Sequence, residues 1–172
     1  MGDVATVLEQ MNDEMSSIAE GARASLVEVR NGSASFGSGV VCHPDGLIVT
    51  NAHVVRSGSP QVRLADGRSF PARVLAVDQE RDLAALSIPA GGLSPIQLDR
   101  SDGTRPGQWV MSVGHPWEVN GAATAGAVIG SEPGQRRAKD DGWLVASLLL
   151  RPGHSDGPMV DAEGRLVWAS IR

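Results

Sequence analysis

The sequence predicts an all-β chain with a single helix at its start, and three observations carry that expectation. Hydrophobic residues fill 41% and charged residues 20% of 172 positions, ordinary usage for one globular unit with a real core. The chain holds 21 glycines and 10 prolines against 3% aromatics, a balance that favours turns between short strands. Turn-forming pairs also punctuate it: Asn31-Gly32, Asp45-Gly46, Asp66-Gly67, Gly91-Gly92, Asp102-Gly103, Pro133-Gly134, Asp141-Gly142 and Glu163-Gly164.

The helix is expected over residues 3–22. Val4, Leu8, Met11, Met15 and Ile18 recur at helical spacing with acidic residues between them, so one face is apolar. That face packs either on its own domain or on the same helix of another subunit. From "SLVEVR" onward the period becomes that of strands. Apolar stretches "GLIVT", "QVRL", "ARVLAV", "LAALSI", "QWVMSVG", "AGAVIG", "WLVASLLL" and "RLVWASI" bring the expected strands to about ten, which close into barrels or a sandwich. Residues 89–107, bearing Pro and Gly, are the natural boundary between two halves.

Composition excludes several classes. A formal charge of -5 argues against a nucleic-acid surface, which needs clustered Lys and Arg; the basic pair Arg136-Arg137 reads as a solvated loop. Five acids (Asp3, Glu9, Asp13, Glu14, Glu20) precede the first cation, Arg23, so the acidity is concentrated in the helix. The lone cysteine, Cys42, forbids an intrachain disulfide and reads as a small hydrophobe in "GVVC". No membrane-spanning apolar run and no signal peptide are expected. No cofactor is implied, and without histidines at ligand spacing no metal site is expected.

Acyl transfer by a serine needs a base to take its proton and an acid to hold that base in the right tautomer. His53 in "TNAHVV", Asp82 in "ERDLAALSI" and Ser155 in "PGHSDGP" supply the three types in the order His, Asp, Ser. Each alone is ambiguous: the histidine reads as a satisfied one, the aspartate as a cap, the serine as a turn residue. His43 and His115, each before a proline, read as structural.

Together these segments resemble the HtrA/Deg group of chymotrypsin-like serine proteases, almost end to end. "FGSGVVCHPDGLIVTNAHVV" is similar to that family's catalytic-histidine strand and turn, and "RDLAALSI" to its aspartate segment. "RPGQWVMSVGHPW" and "ATAGAVIG" are similar to strands of its second barrel, and "PGHSDGPMVDAEGRLV" to its nucleophile segment. The resemblance implies a chymotrypsin-like double β-barrel behind the N-terminal helix of residues 1–22. The protease domain would span residues 23–172, with barrels at about 23–90 and 105–172, the second missing its last strands, and no PDZ domain. It implies a serine endopeptidase acting on unfolded or damaged polypeptides, with His53 as base, Asp82 as its orienting acid and Ser155 as nucleophile. The N–H groups of Gly153 and Ser155 would form the oxyanion hole. Leu150 would line the substrate pocket, and Ala169, Ser170 and Ile171 would pair with substrate backbone. A homotrimer through the helix and an extracytoplasmic location, periplasm or cell envelope, are implied too. The rival expectation is a weakly active or inactive protease fold serving as a binding or assembly module.

The departures bear on that rival. The family carries Asn-Ser-Gly-Gly where this chain has His154-Ser155-Asp156-Gly157, and Trp168 stands where a small residue is usual. His154 would donate a hydrogen bond in place of the asparagine, or compete with His53 for the serine. A carboxylate about 6 Å from a developing oxyanion, at an effective dielectric near 20, costs roughly 2–3 kcal/mol, or about a hundredfold in rate. Asp156→Gly is therefore expected to speed labelling of Ser155 by a fluorophosphonate roughly ten- to a hundredfold. An unchanged labelling rate would show that Asp156 does not restrain the serine.

Overall fold

In a computed structural model the described residues are 4–32, 35–56, 58–98, 104–116, 119–132, 143–151, 154 and 157–168. Helix α1 spans Val4–Ser25, three residues past the expected end. Its last turn is held by packing rather than by the apolar period: Ala22 and Ser25 are buried, and Ser25 Oγ donates to the Ala22 carbonyl at 2.9 Å. The apolar stripe divides along its length. Met15, Ile18 and Ala19 pack on the core, whereas Val4, Val7, Leu8 and Met11 are exposed.

Seven strands form the first sheet in the order β5-β4-β1-β2-β3-β7-β6. They are β1 (Leu26–Asn31), β2 (Ser35–His43), β3 (Leu47–Thr50), β4 (Pro60–Leu64), β5 (Ser69–Pro71), β6 (Arg73–Asp78) and β7 (Leu83–Ser87). The second sheet runs β11-β10-β9-β12-β13-β8. Its members are β8 (Gln97–Leu98), β9 (Trp109–Gly114), β10 (Ala122–Glu132), β11 (Trp143–Ser147), β12 (Met159–Asp161) and β13 (Arg165–Trp168). The all-β expectation holds with one helix, and the second barrel is incomplete, its sheet ending in β11 and β8. Strands beyond the expected ten are short: β5, β8 and β12 have 3, 2 and 3 residues, too few to show a period. The turn pairs at 102–103, 133–134 and 141–142 lie outside the described residues.

Alternation builds the first core. Val62 and Leu64 of β4, Ala84 and Leu86 of β7, and Ile48 of β3 point inward with Val27, Val29 and Val41. Ile48 and Leu86 are fully buried and stabilise the fold by roughly 1.5–3 kcal/mol each. Strand β1 is buried on both faces, because Leu26 turns the other way and joins Val40, Met111, Val113 and Val160. This second cluster welds the first sheet to β9, β12 and α1. The β2–β3 hairpin needs glycine at Gly46, where φ is +90° and a Cβ would lie 2.4 Å from the Ile88 carbonyl oxygen.

Candidate active site

Strand register brings His53 and Asp82 together. In the β3–β7 ladder Thr50 lies opposite Ala84, so two residues further on Ala52 meets Asp82, and the Ala52 N–H donates to the Asp82 carbonyl at 3.1 Å. After β3 the chain turns into a short 3₁₀ helix, Ala52–Val55, that buries Ala52, Val54 and Val55 and leaves His53 exposed.

Asp82 sits in the left-handed region at φ 56°, a conformation that aspartate tolerates better than most side chains. Its carboxylate accepts the His53 N–H at 3.0 Å through Oδ1, and the Asn51 amide at 3.1 Å through Oδ2. The same Oδ2 lies 2.8 Å from His53 Nδ1. Burial pushes the Asp82 carboxyl up, but hydrogen bonds from Asn51, the His53 ring and the His53 backbone outweigh it and hold it below the ordinary range. An ionised carboxylate only accepts, so His53 Nδ1 carries the proton and the lone pair of the neutral ring falls on Nε2. The His53 side chain is 43% exposed and that of Asp82 11%: a solvent-facing base on a sheltered anchor. Asn51 is a site residue that the sequence reading misses, its signal being its place in "TNAH", two positions before the histidine.

Across the second sheet, His154 lies in the turn after β11. Its N–H donates to the Arg151 carbonyl at 2.9 Å, and its carbonyl accepts the Gly157 N–H at 3.0 Å. The ring is 4% exposed, and its Nδ1 accepts the Arg151 N–H at 3.4 Å. Burial pulls this imidazole below its ordinary range, against the backbone groups of Arg151 and Ala122. Gly157 lies flush against β9, where a Cβ would fall 1.8 Å from the Val113 carbonyl oxygen. Leu150 is half-buried. Gly153, Ser155, Ala169, Ser170 and Ile171, the remaining expected site residues, lie outside the described residues, as does Asp156.

The other histidines differ from one another. His43 is exposed at the end of β2, its Nδ1 accepting the Asp45 N–H at 3.3 Å. His115 is buried, with Nδ1 3.0 Å from Ser38 Oγ. Cys42 is half-buried, and burial raises its thiol pKa against a backbone contact with Val49.

The profile of the trypsin-like peptidase domain matches residues 37–167. A mitochondrial serine protease HTRA2 of Drosophila virilis is 39% identical over 142 residues, covering 78% of this chain and 34% of the relative. Its counterpart from Drosophila erecta is 38% identical over the same length. Among solved structures, the HtrA-type protease AlgW with a tripeptide superposes with a TM-score of 0.79 at 30% identity, covering 88% of this chain and 52% of that one. The chain thus spans about a third of the length of the curated relatives it matches.

Proposed function

The chain belongs to the trypsin-like peptidase family as an HtrA-type protease domain, and we propose on that footing that it is a serine endopeptidase acting on unfolded or damaged polypeptides. The observation that carries this reading is the 2.8 Å contact between His53 Nδ1 and the ionised, sheltered Asp82. With Nδ1–H committed to the carboxylate, Nε2 takes the Ser155 hydroxyl proton as the oxygen attacks the scissile carbonyl carbon. Asp82 stabilises the imidazolium so formed. The N–H groups of Gly153 and Ser155 hold the oxyanion, and His53 then protonates the leaving amine to leave an acyl-enzyme on Ser155. Water, deprotonated by His53, releases the acid by the same steps in reverse order. Leu150 would shape a pocket for an aliphatic side chain, and residues 169–171 would pair with the substrate backbone.

Casein hydrolysis tests this assignment. His53→Ala, Ser155→Ala and the double variant should lose about the same activity, because the base acts only through the nucleophile. Activity that survives Ser155→Ala would overturn the reading.

The bare half of the α1 stripe supports self-association, as a homotrimer in the proposed assembly. Val4, Val7 and Leu8 are 72%, 57% and 56% exposed, and such a row is costly to leave in water. Light scattering should therefore give a multiple of the chain mass that falls to one on deleting residues 1–22; a monomer with the helix present would remove the case for assembly. An extracytoplasmic site of action is proposed with the family. No helix among the described residues is long and apolar enough to cross a membrane.

A further inference from the structure

We propose that His115 is a positioning residue for peptide hydrolysis: its bond to Ser38 braces the first sheet against the second and so fixes the spacing of His53 and Ser155. The inference rests on the protease reading above. His115 follows the last residue of β9, while Ser38 lies in β2, 77 residues earlier. Both are buried, Ser38 at 0% and His115 at 7% exposure, so no solvent replaces the bond if it opens.

Each end of this bond leads to one half of the catalytic set. On the first sheet, the Ser38 carbonyl accepts the Thr50 hydroxyl at 2.7 Å. Thr50 ends β3, next to Asn51, which holds Asp82, and three residues before His53. On the second sheet, His115 continues the strand end against which Gly157 and Pro158 are seated. A Cβ at Gly157 would lie 3.3 Å from Gly114 Cα and inside contact distance of the Val113 carbonyl, and the Val113 N–H donates to the Pro158 carbonyl at 3.1 Å. Ser38–His115 is thus a direct polar tie between the sheet that leads to His53 and the sheet against which Gly157 is seated, two positions after Ser155 in the sequence. The Phe36 ring meets the His115 ring edge-on at a centroid distance of 6.4 Å, which restrains the imidazole further. Glu28, Arg23 and Arg63 line the small cavity, about 90 Å³, that His115 also borders. Burial holds His115 below its ordinary pKa range, opposed by Glu28, so the ring is neutral at pH 7.

The test compares Ser38→Ala, His115→Leu, their double variant and His115→Asn in peptide hydrolysis, with thermal melts alongside. Ser38→Ala and His115→Leu should each lower kcat roughly ten- to a hundredfold, the cost of misplacing reacting groups by about 1 Å, while KM stays within about twofold. The double variant should lose no more than either single one. His115→Asn, whose amide reaches the place of Nδ1, should restore most of kcat. Wild-type kcat in Ser38→Ala, losses that multiply in the double variant, or a kcat deficit equal to the unfolded fraction would each overturn the proposal. Failure of the protease reading is separate: it would appear as no Ser155-dependent turnover in the unaltered chain. In that event the Ser155→Ala protein still decides, because the His53 imidazole resonances shift on adding Ser38→Ala if the tie positions the base and stay put if it does not.

Discussion

Replacing Asp82 by asparagine is expected to lower kcat for peptide hydrolysis about ten-thousandfold while the chain stays folded, a loss of the size seen when the acid of a serine-protease triad is made neutral. The reason lies in one oxygen. Asp82 Oδ2 accepts from both Asn51 Nδ2 and His53 Nδ1, and Oδ1 accepts from the His53 N–H. An amide cannot offer acceptors to all three. If its carbonyl serves the His53 backbone, its NH₂ group faces Nδ1 and forces the proton onto Nε2, so the ring can no longer act as base. Asparagine also tolerates the left-handed backbone at position 82, where φ is 56°, so the change isolates chemistry from strain. Alanine there would mix the two.

The same variant carries a pH signature. Because the Asp82 carboxyl is held below its ordinary value in the folded chain, its ionised form adds stability above the unfolded pKa of about 3.9 and loses it as pH falls through the folded value. The melting-temperature difference between the parent and Asp82→Asn should be constant from about pH 5 to 7 and shrink below about pH 4. A difference that persists unchanged at lower pH would mean that the carboxylate's charge contributes nothing to the fold.

What could be read from the sequence divides along physical lines. The pairing of His53 with Asp82 was legible because each sits in a distinctive segment at the end of an apolar strand, and strand ends are where register delivers neighbours. Nothing local marks Asn51 as the second donor to Asp82, since that contact spans 31 positions and depends on how β3 and β7 align. The tie between Ser38 and His115 was hidden for the same reason, and His115 read locally as a loop histidine before proline. The period of α1 is plain, but not its division into packed Met15 and Ile18 and bare Val4 and Leu8, which depends on long-range packing against the cluster that holds Met111 and Val113. In β6 the apolar run gave the strand but not its exposure. Val74, Leu75 and Val77 are 38%, 46% and 44% exposed, because β6 is the edge strand of its sheet.

Gly157→Ala should damage both stability and reactivity, through a collision that no side-chain motion can relieve. A Cβ at this position would lie 1.8 Å from the Val113 carbonyl oxygen and 2.9 Å from its carbon, both main-chain atoms of β9. The turn is held there from two sides: the Gly157 N–H donates to the His154 carbonyl at 3.0 Å, and the Pro158 carbonyl accepts from Val113 at 3.1 Å. To admit a methyl group the turn must lift away from the strand, stretching one of these bonds. Overpacking of this kind costs about 1–3 kcal/mol, which at roughly 2–4 °C per kcal/mol lowers Tm by several degrees. Ser155 precedes Gly157 by two residues in the sequence, and displacing it by about 1 Å relative to His53 should slow fluorophosphonate labelling on the order of a hundredfold. Gly91→Ala is the control: its Cβ would meet nothing within 4 Å, and it should melt and label like the parent. If Gly157→Ala also behaves like the parent in both measurements, the turn is not seated on β9. The path from His115 through that strand to the nucleophile would then lose its second half.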